Sequence, residues 1–276
     1  MARTAEITLP SGLVVEIRNL KVSDEDALTD RNAQRNPVIW NKLLSSVITK
    51  VSGVPEGYSG VKAEDSLKAI KLYTGDRMAL LLYVRRISYG DILDLDWSCP
   101  CGDLVSWSCD LSLLPIKSFP ESTKESLAKG EPLIAWLPDA GVEVAFRLTT
   151  GEDETKLARN RKGGQKRLIS DMLLRRIVLL DGERPRRQDV EDLSGYDGDC
   201  FREAMDDADG GVDTEIEVSC PACGRSRRIS LPFDSSFFGR PQKMKRTLGL
   251  RPGESETGRK RPAVVTTSHP TSQESE

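Results

Sequence analysis

Apolar and polar positions alternate through Leu9-Pro10-Ser11-Gly12-Leu13-Val14-Val15-Glu16-Ile17-Arg18 and again through Leu137-Pro138-Asp139-Ala140-Gly141-Val142-Glu143-Val144-Ala145-Phe146-Arg147. In both, a Leu-Pro pair and a glycine turn lead into a period-two strand, the pattern of a β-hairpin. Carboxylates cluster soon after each, in Ser23-Asp24-Glu25-Asp26 and in Thr150-Gly151-Glu152-Asp153. An oxygen-bearing cap with acidic residues in the first turn suits the positive end of a helix. Farther on, Ile39, Leu43, Leu44, Val47, Ile48 and Val51 recur at spacings of three and four, as do Leu168, Ile169, Met172, Leu173, Ile177 and Leu180. That periodicity predicts one amphipathic, core-packed helix in each half. Another helix is predicted from Gly75 to Ser88, through Met78, Leu81, Leu82 and Val84, with a weaker counterpart from Gly198 to Ala208 that carries Phe201 and Met205.

Each half then closes on two strand-like segments around a cysteine turn. Leu93 to Trp97 and Leu104 to Cys109 flank the first turn; Glu215 to Val218 and Arg225 to Leu231 flank the second. Matched points lie about 120–130 residues apart, well beyond the period of a solenoid. The pattern therefore predicts an internally duplicated α+β protein, each half with N-terminal strands, central helices and a cysteine-knuckle β-hairpin. Residues 4–118 form the first repeat and 132–240 the second. Residues 119–131, rich in Ser, Pro, Lys and Glu, read as a linker. Residues 241–276 lose all apolar periodicity and have too little hydrophobic material to offset chain entropy, which predicts a disordered C-terminal tail.

Composition narrows the function. The 276 residues are 38% hydrophobic and 30% charged, with a net charge of -3, so no global basic excess points to nucleic acid. The opening residues lack the apolar run of a signal peptide and no stretch matches the length of a membrane span; the expectation is an intracellular soluble protein. The single histidine, His269, lies in the tail, which removes the usual base of Ser-His and Cys-His nucleophile systems. Lys162-Gly163-Gly164-Gln165-Lys166 lacks the spacing and the Ser or Thr of a phosphate loop and reads as a basic turn before a helix. Carboxylate pairs are always available among 43 Asp and Glu, but nothing in the sequence brings a pair together.

The six cysteines differ in meaning. Cys220-Pro221-Ala222-Cys223-Gly224 is a zinc-knuckle sequence, in which one tight turn aims two thiolates at a tetrahedral ion. Cys99-Pro100-Cys101-Gly102 is the same motif shortened by one residue. Together Cys99, Cys101, Cys220 and Cys223 make a four-sulfur zinc site joining the halves, although a Cys-x-Cys arm requires a distorted turn. Three alternatives compete: a first arm without metal, a redox dithiol at Cys220 and Cys223, or six ordinary free thiols. A stable disulfide framework does not suit a reducing cytoplasm. Cys109 alternates with Val105 and Trp107 on one strand face and reads as a small core residue; Cys200 sits at a helix start without a spaced partner.

The duplicated Leu-Pro-x-Gly strands, the acidic helix starts, the segment Arg85-Arg86-Ile87-Ser88-Tyr89-Gly90-Asp91, the knuckle followed by Asp110-Leu111, the second knuckle and the closing Phe237-Phe238 occur in one order. Over about residues 4–240 that order resembles the T-even-type phage baseplate hub assembly chaperone family of contractile phages and related injection systems. The resemblance implies a non-enzymatic assembly or structural role, with baseplate or tail proteins as partners. It implies residence in the cytoplasm during assembly, or in the virion or injection particle afterwards. On the family pattern Cys99, Cys101, Cys220 and Cys223 take the knuckle positions. The competing reading is a zinc-ribbon nucleic-acid-binding protein, drawn from Arg225, Arg227 and Arg228 beside the second knuckle and from Lys243, Lys245 and Arg246. A missing run of exposed aromatics and the acidic balance weigh against it. Of the adjacent Arg85 and Arg86, one is expected to face solvent, because neighbours on a helix point in different directions.

Overall fold

The computed structural model describes residues 3–29, 37–58, 69–162, 168–231 and 235–238; the basic turn at 163–166 and the tail from 241 lie outside them. Elements of the first half are β1 (Thr4–Thr8), β2 (Val14–Arg18), α1 (Val22–Thr29), α2 (Pro37–Val47), β3 (Ile48–Gly53), α3 (Thr74–Tyr89), β4 (Ile92–Ser98), β5 (Leu104–Asp110) and the two-residue β6 (Ile116–Lys117). Then come α4 (Glu121–Lys129), β7 (Leu133–Leu137), β8 (Val142–Phe146), α5 (Gly151–Lys162), α6 (Leu168–Arg176), β9 (Ile177–Leu180), α7 (Arg187–Glu191), α8 (Gly195–Ala208), β10 (Gly211–Val212), β11 (Glu215–Ser219) and β12 (Ser226–Ser230). The protein is α+β, and strands, helices and a closing hairpin follow in the same order in both halves.

The compact units draw on both halves instead of following the chain. One takes the described residues within 1–88 and 115–212; the other takes 89–114 and the described residues from 213 onward. The segment 119–131, read as a linker, contains α4. Its Glu121, Ser122, Glu125 and Lys129 are exposed, and Gly130 ends it in the left-handed conformation at φ 70°.

The larger unit holds two antiparallel three-stranded sheets, β1-β2-β3 and β7-β8-β9. In each sheet the third strand arrives straight from a helix, which corrects the predicted helix ends. Ile48 and Val51 belong to β3, and Ile177 and Leu180 to β9, so α2 stops at Val47 and α6 at Arg176. Apolar spacing alone cannot separate a helix from a helix running into a strand; the β-branched pairs Ile48-Thr49 and Ile177-Val178 mark the change. Ile169, assigned to the apolar stripe, is 59% exposed. The predicted helices at 75–88 and 198–208 both form, and α3 carries no fully exposed residue from Thr74 to Tyr89.

Both acidic helix starts tie a strand to the helix that follows. Arg18 bonds Asp24 at 2.7 Å, and Arg147 bonds both oxygens of Asp153 at 2.8 and 2.9 Å. Each aspartate also accepts a backbone N–H from three residues earlier, Lys21 or Thr150. Burial opposes ionisation of Asp24 and Asp153, but the arginine and amide bonds outweigh it and hold both below the usual carboxylate range. Within the same unit the halves interlock: Thr74 N donates to the Thr149 carbonyl at 3.0 Å, Asn41 to Thr155 at 3.0 Å, and buried Arg77 to Glu154 at 3.1 Å.

Asp76, fully buried in the first turn of α3, accepts from Ser11 N and from the Tyr58 hydroxyl, both at 2.9 Å. Burial pushes its carboxyl up to about 6 against those hydrogen bonds. The unfolded chain gives up this proton near 3.8 and the folded protein near 6. Its stabilising contribution is therefore complete at low pH and disappears as pH rises through that window. Asp76→Asn is expected to gain on the native protein by about 2 kcal/mol between pH 4 and 7. Urea unfolding at both pH values measures this, and a difference between the two proteins that stays constant with pH contradicts it.

Candidate metal centre

The smaller unit is two antiparallel hairpins, β4-β5 and β11-β12. On the first, Leu93, Val105, Trp107 and Cys109 point to one buried face, as the alternation predicts, while Asp94 and Asp96 on the other face accept from Ser108 and Ser106. On the second, Ile216 and Val218 are buried, and Leu231, at the position matched to Cys109, is buried as well. Phe237 and Phe238, with ring centroids 5.5 Å apart, are buried as well.

The hairpin ends carry the cysteines. Cys99 N donates to the Asp103 carbonyl and Cys220 N to the Arg225 carbonyl, closing each turn at its base. Inside the turns, the Cys220 carbonyl accepts from Gly224 N, whereas the Cys99 carbonyl accepts from Gly102 N, one residue sooner. Gly102 and Gly224 sit at φ 98° and 68°, where a side chain is disfavoured. The shortened arm is thus a tighter turn of the same kind. All four sulfurs lie within 4.8 Å of one another. Two of the approaches run between hairpins: Cys99 Sγ to Cys223 Sγ and Cys101 Sγ to Cys220 Sγ, each 3.7 Å. Those distances are too long for disulfides, whose sulfurs lie about 2.05 Å apart. They match the edge of about 3.8 Å that a tetrahedron acquires when its sulfurs stand 2.3 Å from a central ion.

The surrounding backbone favours thiolates at this point. Amides of Cys223 and Ala222 donate to the Cys220 sulfur and bring that thiol down to about 7 despite its burial. Cys99 also receives an amide bond, from Cys101, but burial and the three neighbouring sulfurs push it up to about 12. Protons on the last thiols are what a cation would displace. Cys99 and Cys220 are buried and Cys101 and Cys223 exposed, and the four together can hold one metal ion. Cys109 is buried and Cys200 half-buried, both away from the set.

The family described as T4 bacteriophage base plate protein matches residues 1–239. This chain belongs to that family. No curated protein and no solved structure matches it. In this baseplate-family chain Arg85 is fully buried, while Arg86 is half-buried with its guanidinium carbon 5.8 Å from the Tyr83 ring centroid. Arg225, Arg227 and Arg228 are exposed, and Arg228 pairs across the ladder with Glu217. Among the described residues no helix is long and apolar enough to cross a membrane. Two aromatics are exposed singly, Trp136 at 58% and Tyr196 at 60%. Trp136 faces Glu143 across its ladder, and Tyr196 has Asp139 and Glu203 near its hydroxyl. Spacing along the chain gave no sign of either.

Proposed function

We propose that this chain is a non-enzymatic assembly factor or structural component of a contractile-tail baseplate hub, working by binding other tail proteins. The family match over residues 1–239 is the observation that carries this reading. We further propose that Cys99, Cys101, Cys220 and Cys223 hold one structural zinc and that the halves descend from one duplicated unit. Sulfur spacing supports the zinc, and the parallel element order supports the duplication. Four thiolates would leave the ion no open position for water, so the metal would fix two hairpin ends whose cysteines lie 119 and 124 residues apart in the chain.

The nucleic-acid reading is weaker on charge. Residues 89–114 carry five aspartates, Asp91, Asp94, Asp96, Asp103 and Asp110, and no lysine or arginine. A phosphate backbone would meet that hairpin unfavourably. Affinity-tagged protein from cells assembling the particle is expected to bring down defined baseplate or tail proteins, identified by mass spectrometry. Finished particles distinguish a retained component from a released assembly factor. Recovery of nucleic acid without any tail protein would reverse the assignment.

A further inference from the structure

The larger unit contains two corresponding clefts that differ in what covers them. In the first half, the β1–β2 turn, the loop after β3 and the start of α3 meet at Asp76, which binds Ser11 N and Tyr58. In the second half, the β7–β8 turn, the loop after β9 and the start of α8 meet at buried Asp197. Its two oxygens accept Asp139 N and Ala140 N, each at 2.9 Å.

Helix α4 lies over the first cleft. Lys124, Leu127 and Ala128 stand with Ser11, Pro55 and Tyr58 around a remnant of about 210 Å³. The approach is close: a Cβ added to Gly57 would lie 1.9 Å from the Leu127 carbonyl oxygen. Leu9, Pro10 and Ser11 are all buried, and the Pro10 carbonyl accepts from Phe119 N, just ahead of α4. The second cleft is an open groove of about 800 Å³, lined among the described residues by its own turn, loop and the α7–α8 segment. Leu137 is buried like Leu9, yet Pro138, Asp139 and Ala140 are exposed.

The groove has the volume of a binding site and a mixed lining. Val142, Leu180 and Leu193 are half-buried and give it an apolar floor. Acidic groups dominate the rim: Asp139, Asp181, Glu183, Asp189 and Asp192 against Arg184 and Arg186, with Arg186 already paired to Asp189 at 2.9 Å. We infer that this groove docks a basic amphipathic helix of a protein partner, seated as α4 is seated on the first cleft. Small and apolar side chains of that helix lie on the floor, and its lysines or arginines face Asp181 and Glu183. This is helix-in-groove recognition with a complementary charged rim, and it should weaken with salt. The inference rests on the protein-binding role proposed above and supplies its docking face.

The test uses the full chain and a fluorescein-labelled peptide with the sequence of residues 119–131, Glu121, Glu125 and Glu131 being replaced by lysine and a hydrocarbon staple joining positions 122 and 126. Stapling is needed because so short a helix is marginal in water. Anisotropy should show saturable 1:1 binding with a Kd of roughly 10–100 µM. The double variant Asp181→Asn/Glu183→Lys, and separately Ala140→Trp, should weaken it at least about tenfold. All three positions are exposed, and unchanged thermal unfolding shows that the variants are folded. Absence of saturation by 1 mM overturns the inference, as does equal binding by both variants or by a scrambled peptide of the same charge. Concentration-dependent self-association abolished by the same variants assigns the groove to a second copy of the chain and also overturns it. In particle-forming cells, normal tails from the Ala140→Trp strain but none from a deletion strain reject the groove and leave the baseplate role standing.

Discussion

Replacement of Cys220 by serine is expected to remove the bound metal and unfold the paired hairpins. Native protein purified under reducing conditions should carry about one zinc per chain, because the two arms together supply the four sulfurs of a closed site. Cys220 is buried, lies 3.7 Å from Cys101 and receives two amide bonds, so serine removes a ligand at the most constrained position. Few apolar residues of the hairpins are buried, Leu93, Val105, Trp107, Ile216 and Val218 among them, and a two-stranded hairpin is marginal by itself. The expected loss is on the order of 4 kcal/mol in this unit, visible as fast hydrogen exchange in β4, β5, β11 and β12. Cys109→Ala is the control: it shortens a core side chain, costs about 1 kcal/mol and leaves the metal in place. Metal retained by Cys220→Ser at the native ratio contradicts the four-sulfur site.

Phe201→Ala is expected to destabilise the larger unit by on the order of 4 kcal/mol. Phe201 is fully buried on α8, and its ring meets Phe146 of β8 edge-on with centroids 5.4 Å apart. Truncation removes the buried ring, its edge-to-face contact and the packing of α8 on the second sheet, and a cavity remains where the surroundings cannot collapse. Urea unfolding measures the loss. Tyr196→Ala, five residues earlier on the same helix and 60% exposed, should change stability by less than about 0.5 kcal/mol. A loss below about 1 kcal/mol for Phe201→Ala would mean that this ring does not anchor the helix.

The residues that made the fold legible are those whose local chemistry allows one reading. Leu-Pro pairs leading into a glycine turn and carboxylate-rich helix starts announced β1-β2, β7-β8, α1 and α5, and strict alternation in Val105 to Cys109 announced β5 with its buried face. Helix ends were less legible, because the apolar period of α2 and α6 runs on into β3 and β9 without a glycine or proline between them. The cysteine set was visible as paired turns, whereas the mutual distance of the sulfurs depends on pairing between segments more than 110 residues apart. The acidic groove had no local mark at all. Asp139, Asp181, Glu183 and Asp192 come from a turn and two loops, and each reads alone as an ordinary solvated charge. Arg85 shows the same limit: only its surroundings distinguish it from Arg86.

Electron microscopy of particles from a strain lacking this chain tests the baseplate role most directly. The expected result is tails that fail to assemble or lack baseplates, restored when the native chain is supplied. Normal, contractile particles with complete baseplates in its absence would contradict the role.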